Sequence, residues 1–298
     1  MTAAGTLSAA TDVSAVTLNV ANLDRVLAFY HLGVGLDVLE QDGGTVSLGR
    51  KGGGANGSDE VVLILQHAPD LASPALGSAG LYHTAILFKD QPTLASAIYS
   101  VARKYPTSFT GSSDHLVSLA FYFDDPEGNG VELYWDRPRE QWPRLDGAVQ
   151  MDTLPLNPNA FLQQHLTDAG AIEVDRGDAT VGHVHLQVGD IPTAEAFYVD
   201  LLGFELQIRY GPQALFVSAG GYHHHLGMNT WQSRGAGLRS PALGLGSVSI
   251  VVPTTEEVLE VQRRLEAGGV TTAHDGASLR FDDPWANQIR VTASELPR

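Results

Sequence analysis

Two pairs of segments within this 298-residue chain repeat one another, and that constrains the fold more than any other feature. AVTLNVANLDRVLAFYHLGVGLDV (15–38) runs without a gap against HVHLQVGDIPTAEAFYVDLLGFEL (183–206) at an offset of 168. Val16 then matches Val184, Phe29 and Tyr30 match Phe197 and Tyr198, and Gly35 matches Gly203. FDDPEGNGVEL (123–133) matches FDDPWANQIRV (281–291) at an offset of 158. A duplicated sequence builds duplicated units. LYHTAILF (81–88) and LGSVSIVV (245–252) each open a further pattern of the same kind. Four modules are therefore expected, at 13–72, 78–137, 181–235 and 243–298, with an N-terminal tail (1–12) and a linker (138–180) carrying one short helix.

Each module reads as a strand, a short helix and three more strands, a βαβββ unit of an α+β fold. In the first, an alternating strand (16–20) leads into a helix ending at Phe29-Tyr30, followed by Gly-rich turns and apolar stretches such as EVVLILQ (60–66). DDPEGNG and DDPWANQ are tight turns, in which Asp and Asn side chains bond nearby backbone and Pro fixes φ. The strand after the first of these turns carries Glu132 among apolar neighbours. A buried carboxylate is costly unless it is paired or bound to a cation, so a positive partner is expected beside it.

Composition narrows the partners. With 34 acidic against 18 basic residues the chain has a formal net charge of -16, which repels nucleic acid and anionic membranes. No run of apolar residues is long enough to span a bilayer, and MTAAGTLSAATDVS lacks the blocks of a signal peptide, so a cytoplasmic protein is expected. The chain has no cysteine, so any metal must sit on His, Asp or Glu.

NLDRVLAFYHLGVGL, DIPTAEAFYVDLLGF and DDPEGNGVELY together resemble the vicinal oxygen chelate superfamily: glyoxalases, bleomycin-resistance proteins and type I extradiol dioxygenases. GLYHTAIL, SDHLV, GHVHLQV and GGYHHHLGMNTW resemble a bacterial subgroup of catechol 2,3-dioxygenase-like proteins. The resemblance covers nearly the whole chain and implies modules paired into half-barrels, with metal ligands on the first and last strands of paired modules. The first-strand position is Ala15, His83, His183 and Ser247 in modules one to four, and the last-strand position is Glu132 in module two and Arg290 in module four. His83, Glu132 and His183 then form a 2-His-1-carboxylate set, the facial triad of non-haem Fe(II) oxygenases. The set is complete only if module two pairs with module three, leaving a metal-free barrel of modules one and four; consecutive pairing would separate His183 from the other two. Arg280 and Arg290, which replace Tyr122 and Glu132 in module four, would repel a cation there.

The resemblance further implies that Tyr122 and His115 contact the substrate, although His115 stands two residues off the family position. It also implies an acid-base histidine within HHHLGM. Register against Leu226 and Met228 favours His224, and strand alternation would send one or two of His223, His224 and His225 inward. His185 is either a pocket residue or a rival ligand. The implied function is ring cleavage of a catechol-type diol with O2 at Fe(2+), with Mn(2+) as the alternative metal. A glyoxalase-type isomerase or lyase and a metal-free binding or resistance protein are the rivals. The sequence leaves open whether the protein is a homo-oligomer.

Overall fold

A computed structural model describes residues 5–54 and 57–294, so the first residues of the N-terminal tail and the last of the fourth module lie outside the described part. The strands are β1 (Asp12–Val20), β2 (Asp37–Asp42), β3 (Thr45–Arg50), β4 (Glu60–His67), β5 (Gly80–Phe88), β6 (Phe109–Asp114), β7 (Ser118–Asp124), β8 (Gly130–Asp136), β9 (Arg144–Leu145), β10 (Ala148–Val149) and β11 (Leu154–Pro155). They continue with β12 (Ala179–Gln187), β13 (Glu205–Tyr210), β14 (Ala214–Ser218), β15 (Leu226–Asn229), β16 (Gly244–Val252), β17 (Thr272–His274), β18 (Ser278–Asp282) and β19 (Gln288–Ala293). The helices are α1 (Leu23–Ala28), α2 (Gln91–Lys104), α3 (Pro158–His165), α4 (Asp168–Ile172), α5 (Ile191–Glu195) and α6 (Thr255–Ala267).

This is a mixed α+β fold with two large sheets. One has the strand order β17-β18-β19-β16-β1-β4-β3-β2, the other β11-β6-β7-β8-β5-β12-β15-β14-β13. The chain also divides into two compact units, Leu18–Asp70 with His83–Gly182, and Met1–Thr17 with Leu71–Tyr82 and His183–Arg298.

In the first unit, β5 and β8 run parallel with Ala85 opposite Glu132, while β7 pairs antiparallel with β8 and sets Tyr122 opposite Glu132. A parallel pair needs a crossover, which α2 supplies. Asp90 caps α2 by accepting a hydrogen bond from the Thr93 N–H (2.8 Å), Pro92 sits in its first turn, and Leu94, Ile98 and Val101 are buried. In the second unit, β15 lies parallel to β12, with His185 opposite Gly227, and β19 lies parallel to β16.

Neither α1 nor α5 stops where the sequence pattern suggests. Each continues as a π-helical turn, Phe29–Val34 and Ala196–Leu201, and Gly35 at φ 90° ends the first. The widened turns carry Tyr30 and Tyr198, both fully buried. The Tyr30 hydroxyl donates to Asp125 (3.3 Å) and that of Tyr198 to Asp283 (2.9 Å). Asp125 also accepts from the Glu127 and Asn129 N–H groups and the Asn129 amide, and Asp283 from the matching groups of Trp285 and Asn287. The repeated FY and DDP motifs are therefore two ends of one buried contact. Burial raises both carboxyls above the usual aspartate range, against the pull of these donors.

One expectation needs correction. The linker holds two short helices, α3 and α4, and its strand β11 joins a large sheet by pairing with β6. Before β1, Leu7 is buried and its N–H bonds the Gly203 carbonyl (2.8 Å). Apolar Leu7 gains more from that cover than from water.

Removing Asp283 leaves buried N–H donors without an acceptor, so Asp283→Ala should cost about 1–3 kcal/mol. Tyr198→Phe, which removes one donor only, should cost less, with urea denaturation of both variants as the measurement.

Candidate metal centre

Glu132 sits on β8 between the buried Val131 and Leu133 and is itself only 2% exposed. The side chain beside it is that of His83. His83 lies two residues before Ala85, the strand partner of Glu132, so its side chain shares the face of Glu132. The His83 Nε2 is 3.0 Å from the Glu132 Oε2, and both residues are buried. The Tyr122 ring stands 5.6 Å from that of His83.

His115 lies in the turn from β6 to β7, where Leu116 adopts φ 69°. Its Nδ1 is 2.8 Å from the Asp152 carbonyl oxygen and its Nε2 is 2.7 Å from the Tyr122 hydroxyl. A carbonyl only accepts, so Nδ1 carries the proton; in the neutral ring Nε2 then accepts from Tyr122. Arg137 braces this turn through Nε to the Leu116 carbonyl (3.0 Å) and Nη2 to Asp114 (2.6 Å). Neither Arg137 nor Asp152 stood out in the sequence, because their partners are set by the turn and by the linker strand.

His183, 2% exposed, projects from β12. Gly182 before it has no room for a side chain, since a Cβ there would overlap the Tyr134 hydroxyl. The His224 ring lies 4.1 Å from that of His183, and the His223 ring 5.8 Å. The expected alternation along HHH does not occur. The three histidines lie in the turn segment before β15, and all three are buried. The Nδ1 atoms of His223 and His224 are 2.8 Å apart, so one donates to the other. His225 faces elsewhere: its Nδ1 accepts the Ala219 N–H (3.1 Å) and its Nε2 is 3.5 Å from Asp12. His185 packs between Tyr82, Phe216 and Trp231. Phe216 stands opposite Gly227, as Tyr122 stands opposite Glu132, and its ring is 5.0 Å from that of His224. In the sequence, Phe216 within ALFVS is the signal for this aromatic wall.

The sequence-derived triad is brought together: His83, Glu132 and His183, all buried, offer ligand atoms within 4.8 Å of one another. Two imidazoles and a carboxylate suit a divalent ion of the Fe, Mn or Zn series. These residues therefore fit a metal.

Comparison with known proteins bears on the same point. A family profile described as the Glyoxalase/Bleomycin resistance protein/Dioxygenase superfamily matches residues 180–290. The sequence is 37% identical to the Catechol-2,3-dioxygenase of Bacillus subtilis (strain 168) over 279 residues, covering 92% of this chain and 94% of that protein. A solved structure of a Bacillus subtilis protein superposes with a TM-score of 0.67 at 15% identity, covering 99% of this chain and 87% of that one. Glyoxalase I from Zea mays superposes with a TM-score of 0.57 at 17% identity, covering 95% of this chain and 92% of that one. At such identities the two structures speak for the fold alone, whereas the full-length relative speaks for descent, and the chain belongs to the glyoxalase/bleomycin resistance protein/dioxygenase superfamily.

Proposed function

We propose that this protein is an extradiol dioxygenase that cleaves the ring of a catechol-type diol with O2 at an iron held by His83, Glu132 and His183. The observation that carries the reading is the convergence of these three buried donors. In this reading modules 78–137 and 181–235 pair around the metal and modules 13–72 and 243–298 form the metal-free barrel, in keeping with the strand orders of the two sheets.

Iron held there would supply a redox-active Lewis acid between an electron-rich diol and dioxygen. The protein's own groups do the rest. Glu132 offsets part of the ion's charge, and the wall formed by Phe216 and His185 excludes water from one side. With its hydrogen turned toward His115, the Tyr122 oxygen is an acceptor for a substrate hydroxyl, which orients the diol. His224, against His183 and hydrogen-bonded to His223, takes a hydroxyl proton from the diol and returns it as the ring opens. Both atoms of O2 enter the product, a ring-opened semialdehyde.

A glyoxalase-type reaction is disfavoured because it needs a second carboxylate. The position on β15 that matches Glu132 is Gly227, and a Cβ there would meet the His185 ring at 3.0 Å. A metal-free binder would have no use for Glu132 beside His83.

Metal analysis beside oxygen uptake with catechol tests the reading. Glu132→Gln keeps the shape but removes the charge, so iron content and oxygen uptake should fall together. His224→Phe should keep its iron and lose about 10² to 10⁴ in kcat. An unchanged rate in His224→Phe would move the acid-base role to His223 or His115. A parent protein that binds no divalent metal would overturn the dioxygenase itself.

A further inference from the structure

The second large sheet repeats the framework of the metal centre with the charge reversed. Arg280 on β18 stands directly opposite Arg290 on β19, at the positions where Tyr122 stands opposite Glu132 at an offset of 158. Two cations directly across a ladder repel one another, because facing side chains leave their Cβ atoms only about 5 Å apart. One has a counter-ion: Arg280 pairs with Asp275. Arg290 makes no ion pair among the described residues, and it is half-buried. The Nε of each arginine is sealed from solvent and makes no hydrogen bond among the described residues.

The sealed Nε atoms are closed to solutes as well as to water, but the Arg280 side chain keeps 39% of its surface exposed and Arg290 is only half-buried, so their outer guanidinium N–H donors can be reached by an acceptor. Asp275 is committed to Arg280, so Arg290 is the fork left for a further acceptor. Ser249 on β16 lies beside Arg290 in the parallel ladder, and Thr292 follows two residues later on the same face. Both are neutral hydroxyls that can donate to an anion. Paired N–H forks flanked by hydroxyls match an oxyanion with two adjacent oxygens. The chain's overall charge of -16 works against capture at a distance, but screening limits that repulsion to about 8 Å at physiological salt. Close contacts therefore decide binding.

We propose that Arg280 and Arg290 form a binding site for a small oxyanion, a phosphate or a carboxylate, on the sheet that lacks the metal ligands. The site is independent of the catalytic reading. Thermal unfolding and calorimetric titration of the full chain with sodium phosphate, and separately with sodium acetate, at ionic strength fixed with sodium chloride, test it and separate the two anion classes. A saturable rise of the midpoint with at least one of them is expected, because a ligand bound only to the native state stabilises it. Arg290→Gln, which removes one fork while keeping a polar side chain, should bind about tenfold more weakly. Arg280→Gln provides the same comparison if the first variant folds poorly. Glu132→Gln must keep the full response, which excludes anion binding at the metal centre. A rise reproduced by sodium chloride alone, no response in the parent, or an undiminished response in the arginine variants would overturn the proposal.

Discussion

The buried charge of Glu132 is the constraint around which the candidate site is organised. A carboxylate at 2% exposure in the middle of a strand has lost most of its hydration, and the loss must be offset within a few ångströms. The parallel pairing of β5 and β8 delivers His83 to it, and β7 delivers Tyr122. Each of these strands also has an opposite face, buried under helix α2 or its neighbours, which a one-residue slip would exchange with the site face. Core packing and site geometry are thus fixed by the same register. Breaking a buried pair by removing one partner is far more damaging than never having built it, so the site and the core stand or fall together.

Much of this was readable in the sequence because duplication makes strand positions comparable. The offset of 168 identified β1 with β12, and the offset of 158 identified β8 with β19, while it was the superfamily resemblance that marked His83, Glu132 and His183 as ligand positions. Contacts formed by irregular backbone were not readable. The HHH segment looked like a strand, but the chain there is a turn that buries all three rings. His115 could be named, yet its tautomer depends on the Asp152 carbonyl in a stretch that reads as linker. The tie between Tyr30 and Asp125 joins two motifs 95 residues apart, each of which looks locally complete.

The π-helical turns explain why the repeats are so similar there. Inserting an extra residue into a helical turn swings one side chain out of the regular pattern, and here it aims Tyr30 and Tyr198 at buried aspartates. The aspartates in turn organise the turns before β8 and β19, the strands that carry Glu132 and Arg290. The same scaffold therefore presents a carboxylate in one place and a guanidinium in the other, a difference made by one side chain on an unchanged backbone plan.

The place of β1 bears on how the chain acquires its structure during synthesis. β1 is complete within the first 20 residues, yet in its sheet it lies between β4 and β16, and the latter ends at Val252. The Leu7 N–H likewise waits for Gly203. The nine-stranded sheet that contains β5 and β15 needs nothing beyond Asn229, whereas the sheet containing β1 needs strands as late as β19 (Gln288–Ala293). On a ribosome adding roughly 5–20 residues per second, β1 therefore exposes an unpaired edge for roughly ten seconds or longer. β1 can therefore complete its sheet only after β16 has left the exit tunnel.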